Sequence, residues 1–172
     1  MARALVVFES VPAETRLIAM AVAQGLATRL PVDVACAQDA PTAVAGDVRL
    51  LVVGGPGHPP ARPAARRYGL REWLDAVTLP RGVHVAVFDL RPDEPARFAG
   101  DGAMGIERAL VRGLGATAAA PPEHFLLTAA QGPLADGQED RARRWGQALA
   151  EVVAPRPVVS AARAAAAAAA AG

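Results

Sequence analysis

ALVVFESVPAETRLIA, Ala4 to Ala19, passes from one kind of periodicity to another within a few residues. ALVVF is short, β-branched and continuously apolar, the pattern of a strand buried on both faces. From Thr15 the pattern is helical as far as Leu30, with Arg16, Gln24 and Thr28 on one row, interrupted by Met20, and apolar residues elsewhere. Between the two lie Ser10, Val11, Pro12, Ala13 and Glu14. A strand that feeds a helix through so short a joint is the first half of a βαβ unit.

The alternation repeats. PVDVACA (Pro31–Ala37) and RLLVVGG (Arg49–Gly55) read as strands, and VHVAVFDL (Val83–Leu90) as a fourth. GLREWLDAV places Leu70, Trp73, Leu74 and Val77 on one helical face. Ile106, Ala109, Leu110, Gly113 and Leu114 form another stripe, and Ala142, Trp145, Leu149 and Val152 a last one. A weak fifth strand starts near Ala116, is interrupted by Pro121-Pro122 and resumes at FLLT (Phe125–Thr128). The expected fold is α/β, a doubly wound parallel sheet with right-handed crossovers. Ligands of such sheets bind beyond the carboxyl ends of the strands, at a topological switch point. The loops after the third and fourth strands, PGHPPARPAARR and RPDEPARFAGDG, are the longest and are expected to bind rather than merely connect. From Ala154 the text becomes Pro- and Ala-rich, so residues 1–153 are read as one domain and 154–172 as a low-complexity tail.

Composition narrows the chemistry. The chain has 172 residues, 52% hydrophobic and 20% charged, which is one globular domain's worth. Eighteen basic and 17 acidic side chains leave a net charge of +1, no electrostatic footprint for nucleic acid or a membrane surface. Every basic side chain is Arg; the absence of Lys removes Schiff-base chemistry and Walker-type nucleotide binding. Cys36 is the single cysteine, expected as a small buried hydrophobe. His58, His84 and His124 show no metal-ligand spacing, and no metal site is expected. Ser10 lacks the context of a catalytic nucleophile. Arg141, Arg143 and Arg144 with Glu139 and Asp140 read as the solvated face of the last helix. The N-terminus enters directly into strand pattern, and a cytoplasmic location is expected.

The first joint has no glycine, so the dinucleotide fingerprint G-x-G-x-x-G is absent. The third strand ends in Gly54-Gly55 rather than Asp, which argues against a phosphorylated receiver domain. What remains resembles the flavodoxin family, most closely the short actinobacterial flavodoxin-like proteins. ALVVFESVPAETRLIAMAVAQGL, LLVVGGPGHPPARP, GLREWLDAV, VAVFDLR, GIERALVRGLGATAAAPPEHFLL and GPLADGQEDRARRWGQALA carry the likeness from Ala2 to about Val153, through order and spacing rather than any one motif. The resemblance implies a five-stranded parallel sheet in order 2-1-3-4-5, a three-layer sandwich with FMN held noncovalently at its carboxyl edge, and electron transfer to a redox partner protein. It places the phosphate in the loop after the first strand, at Ser10, Val11, Ala13, Glu14 and Thr15, and the flavin ring between Gly55, Pro56, Gly57 and His58 on one side and Asp89 and Arg91 on the other. Phe98 stands where it could cover the second of these loops, and Asp101 where relatives often carry Ser.

The family's phosphate pattern is roughly Ser/Thr-x-x-Gly-Asn-Thr, and here it reads Ser10-Val11-Pro12-Ala13-Glu14-Thr15. Both hydroxyls are kept. Pro12 removes an N–H donor, Ala13 disfavours positive φ, and Glu14 brings a carboxylate beside the site. At about 6 Å in a half-wet site, that charge costs a dianion on the order of 1–3 kcal/mol. Two readings stay open. One is a working cradle built from main-chain N–H groups and hydroxyls. The other is a flavodoxin-like domain that has lost FMN and acts as a binding or structural module. In the second reading Pro12 opens the helix and Glu14 satisfies its positive end, so the joint caps itself.

Overall fold

The computed structural model describes residues 1–57, 69–93, 102–130 and 132–154. Six strands and four helices alternate along them: β1 (Arg3–Phe8), α1 (Ala13–Leu26), β2 (Val32–Cys36), β3 (Val48–Pro56), α2 (Leu70–Ala76), β4 (His84–Pro92), α3 (Gly102–Arg108), β5 (Thr117–Ala118), β6 (Glu123–Leu127) and α4 (Gln138–Val153). All strand pairs are parallel, and the order is β2-β1-β3-β4-β5, with β6 also on β4. This is the 2-1-3-4-5 order that the resemblance to flavodoxins implies. β5 pairs with His84 and Val85 near the start of β4, and β6 with Phe88–Pro92 at its end. The two are halves of one edge strand, split where Pro121-Pro122 cannot donate to a ladder.

The continuous apolar runs serve two cores, one on each face. Even-numbered residues Ala4, Val6, Phe8, Leu50, Val52, Ala86 and Phe88 pack with α1 and α4. Odd-numbered Leu5, Val7, Leu51, Val53, Val85 and Val87 pack with α2 and α3. That alternation is why the strands read as unbroken apolar runs. α1 and α4 approach very closely: a Cβ on Gly25 would lie 2.0 Å from the Arg143 carbonyl oxygen, and one on Gly146 2.3 Å from that of Val22. Phe88, Phe125 and Trp145 meet edge to face, with centroids 5.7 to 6.3 Å apart.

Several local expectations are corrected. α1 begins at Ala13 and ends at Leu26, so Pro12 is the residue that flanks the helix rather than its first member. Its ψ of 162° is extended, which is why the helix cannot start there. α3 starts at Gly102, and a π-helical turn, Ala109–Gly113, follows it. The wider turn slips the register, so Ile106 and Leu110 face the core while Ala109, Gly113 and Leu114 are exposed. Val152 is exposed too, at the end of α4. Cys36 is half-buried at the end of β2 and its Sγ donates to Asp39 Oδ2 at 2.9 Å, so it is not a plain core residue. Arg141 does not belong to a solvated face: its guanidinium lies 5.1 Å from the Phe125 ring centre, donates to the His124 carbonyl at 2.7 Å and pairs with Glu123.

Candidate functional site

β1, β3 and β4 end together, and the joints that leave them converge. The first joint is the most open chemically. Ser10 and Glu14 are half-buried, Ala13 is exposed, and Val11 is 68% exposed. Thr15 is fully buried. Its N–H donates to the Pro12 carbonyl at 3.1 Å, which ties the helix to its flanking turn. Its Oγ1 has no hydrogen-bond partner. The N-terminus of α1 has no side-chain cap, so the Glu14 carboxylate does not fold back onto the free amides. Glu14 nevertheless lies in the first turn, so its charge, rather than a hydrogen bond, is what it offers the positive end of the helix. Among the described residues, Ser10, Val11 and Glu14 form no side-chain hydrogen bond or ion pair, and the N–H groups of Ser10, Val11, Ala13 and Glu14 point to no backbone acceptor.

A helix start of this kind has the donors that suit an anion: free N–H groups, a positive dipole end and an unsatisfied hydroxyl. A buried hydroxyl without a partner costs about 1–3 kcal/mol, and an entering anion oxygen would recover it. The donor set thus suits a phosphate, and Glu14 opposes it.

Glu9, one residue upstream, was not singled out in the sequence. Its N–H donates to the Gly54 carbonyl at 2.9 Å, and its carboxylate accepts the Leu70 N–H at 2.7 Å. Glu72 accepts the Gly69 N–H at 2.9 Å. Two carboxylates therefore complete the start of α2, and Glu9 pins the segment returning after β3 to the segment leaving β1. No signal in the sequence links positions 61 residues apart.

The ring-flanking residues form the ends of β3 and β4. Gly54 lies beside Phe88 and Gly55 beside Asp89 in the sheet. Gly55 is covered by Leu70 and Ile106, whose side chains would lie 3.0 and 3.2 Å from a Cβ there. Pro56 is the last residue of β3, and the Gly57 N–H donates to the Leu90 carbonyl at 3.0 Å. His58, Phe98 and Asp101 lie outside the described residues.

Asp89 is 0% exposed yet carries four hydrogen bonds or more. The Arg91 guanidinium donates to both of its oxygens at 3.1 to 3.2 Å. The Ala103 N–H, at the start of α3, donates to Oδ2 at 3.0 Å. His124 Nδ1 lies 2.7 Å from Oδ1, from the neighbouring position on β6. Gly102 allows this closeness, since a Cβ there would fall 2.8 Å from Asp89 Oδ2 and 3.1 Å from Gly57 Cα. Asp89 is thus the buried post that fixes the end of β4, the start of α3 and the resumed edge strand, while Arg91 and His124 keep part of their surface in solvent. His124 was missed in the sequence, since only the completed sheet sets it opposite Asp89.

No protein-family model and no curated protein matches the chain. Solved structures do. A short-chain flavodoxin associated with a non-canonical PDU bacterial microcompartment superposes with a TM-score of 0.67 at 17% identity, over 90% of this chain and 100% of that one. Flavodoxin 1 from Bacillus cereus gives 0.66 at 14% identity, over 87% and 98%. A flavodoxin from the domain Archaea gives 0.64 at 21% identity, over 88% and 98%. At such identities the likeness is one of architecture, and with the strand order it establishes that this chain has the flavodoxin-like α/β fold.

Proposed function

We propose that the protein binds FMN at the carboxyl edge of its sheet and transfers electrons, in the manner of a short flavodoxin with an altered phosphate loop. The observation that carries this reading is the buried, unpartnered Thr15 hydroxyl beside the uncapped amides of α1. Ser10 and Thr15 would bind the phosphate through their hydroxyls, and Val11, Ala13 and Glu14 through their N–H groups. Pro12 has none to give. Gly55, Pro56 and Gly57 would border the ring on one side and Arg91 on the other, with Asp89 holding Arg91 in place from behind.

When bound, the flavin supplies one- or two-electron chemistry. The chain's own contribution is to bind and orient. Glu9 keeps the β1 and β3 joints together, and Asp89 keeps the β4 and β6 ends together. Among the described residues no helix is long and apolar enough to cross a membrane. The reading places the protein in the cytoplasm with a protein redox partner, without nucleic acid or membrane. Titrating FMN with the purified protein tests it. Quenching of flavin fluorescence that saturates at micromolar protein supports the reading, and no quenching at high micromolar concentration refutes it.

A further inference from the structure

We infer that the first joint takes the phosphate of its ligand together with one proton, as the singly charged monoester, and that Glu14 is the group that imposes this choice. The inference rests on the flavin reading above and deepens it by naming the ionisation state that the site selects. The donors of the joint are the fully buried Thr15 hydroxyl, which has no partner, and the uncapped amides of α1, a helix of 14 residues. Neutral donors of this kind accept either form of a phosphate. The choice between the forms falls to the charges around them.

Those charges are negative. Residues 9–15 carry two carboxylates, Glu9 and Glu14, and no cation. Glu9 is committed to the Leu70 N–H at 2.7 Å. Glu14 is half-buried in the first turn of α1 and is bonded to nothing among the described residues. α1 packs against β1, β2, β3, β4 and α4. At the carboxyl end, β2 leads to Asp39, which accepts from the Cys36 thiol, and β4 carries Asp89 and Arg91, which hold one another and His124. On α4, Arg141 is paired with Glu123, Arg143 with Asp140, and Glu151 with Arg29 beyond the far end of α1. Arg3, Asp33, Asp47, Arg49 and His84 lie at the opposite end of the sheet. Of the remainder, Arg16, Glu139 and Arg144 are exposed to solvent. No buried or half-buried cation among these elements is left to neutralise the second charge of a phosphate.

A phosphate monoester gives up its second proton at about pH 6, so keeping that proton at pH 7 costs about tenfold in affinity. Two gains offset this. The repulsion between Glu14 and the second charge disappears. The P–O–H group also becomes a donor, and an ionised carboxylate, which can only accept, is the partner that it needs. The balance is one proton per ligand: water supplies it, an O–H bond forms on the phosphate, and Glu14 stays ionised. The titrating group is the ligand's own phosphate.

Isothermal titration with FMN in two buffers of different ionisation enthalpy counts the protons. At pH 7.5 nearly one proton should be taken up per FMN, and none per riboflavin. The affinity for FMN should be level below pH 6 and fall about tenfold between pH 7 and pH 8. A site that takes the dianion has the opposite slope, with affinity rising through pH 6. In Glu14→Gln the proton uptake should vanish, and the advantage of the variant over the parent should grow about tenfold between pH 7 and pH 8. FMN binding without proton uptake, or uptake that persists in Glu14→Gln, overturns the inference and leaves the flavin reading standing. Absence of FMN binding refutes both.

Discussion

The Thr15 N–H is bonded to the Pro12 carbonyl at 3.1 Å, while the hydroxyl of the same residue is buried with no partner at all. One group of this residue closes the turn, and the other is left unsatisfied, at a cost to the free protein. Thr15→Val removes the hydroxyl and keeps the volume. The FMN-free variant should be as stable as the parent or a few degrees more so in thermal unfolding, because an unsatisfied group costs about 1–3 kcal/mol. Its affinity for FMN should fall about tenfold. A clear loss of stability in the free protein would mean that the hydroxyl has a partner there.

Glu14 stands uncapped at the positive end of α1, half-buried and without an ion pair. Water screens part of its charge, so the lower end of the electrostatic range applies. Glu14→Gln should tighten FMN about tenfold, measured by fluorescence titration, and the gain should shrink as salt is raised. A gain independent of ionic strength would assign the effect to something other than charge.

A Cβ on Gly54 would lie 2.0 Å from Phe88 Cζ. Phe88 cannot retreat, because Phe125 and Trp145 flank it edge to face. Gly54→Ala should therefore cost about 1–3 kcal/mol, a fall of roughly 3–10 °C in the midpoint of thermal unfolding. An unchanged midpoint would show that the aromatic cluster is loosely packed.

The Cys36 thiol is held above its ordinary range, first by its hydrogen bond to Asp39 and then by burial. The bond favours the protonated thiol. Its contribution to stability is therefore complete at neutral pH and is lost as the pH rises through the raised pKa. Asp39→Asn should lower that pKa and speed alkylation by iodoacetamide at about pH 8 several-fold, since the thiolate is the nucleophile. Equal rates in parent and variant would contradict the assignment.

The parallel α/β class and the split edge strand were legible because they follow from local rules: apolar runs of strand length, helical stripes between them and a proline pair that breaks a ladder; the strand order came from the resemblance to flavodoxins. Periodicity also placed Leu70, Trp73 and Val77 correctly on one buried face. It failed at Leu114, where a π-helical turn changes the number of residues per turn, and at Pro12, which flanks the helix it was expected to begin. The site was only half legible. Ser10 and Thr15 were named by the resemblance to the family's phosphate pattern, and the structure adds that the Thr15 hydroxyl is buried without a partner. The Glu9 contact to Leu70 and the His124 contact to Asp89 could not be named, because both are made by chain segments that only the completed sheet brings together.

The phosphate itself is the crux, and comparing FMN with riboflavin isolates it. Isothermal titration of the purified protein with both flavins measures what the N-terminus of α1 contributes. Several hydrogen bonds to a charged group at about 1.5–3 kcal/mol each, offset by Glu14, should make FMN bind about a hundredfold more tightly than riboflavin. Equal affinities would show that the amides and hydroxyls of the first joint hold no phosphate, and would contradict the account.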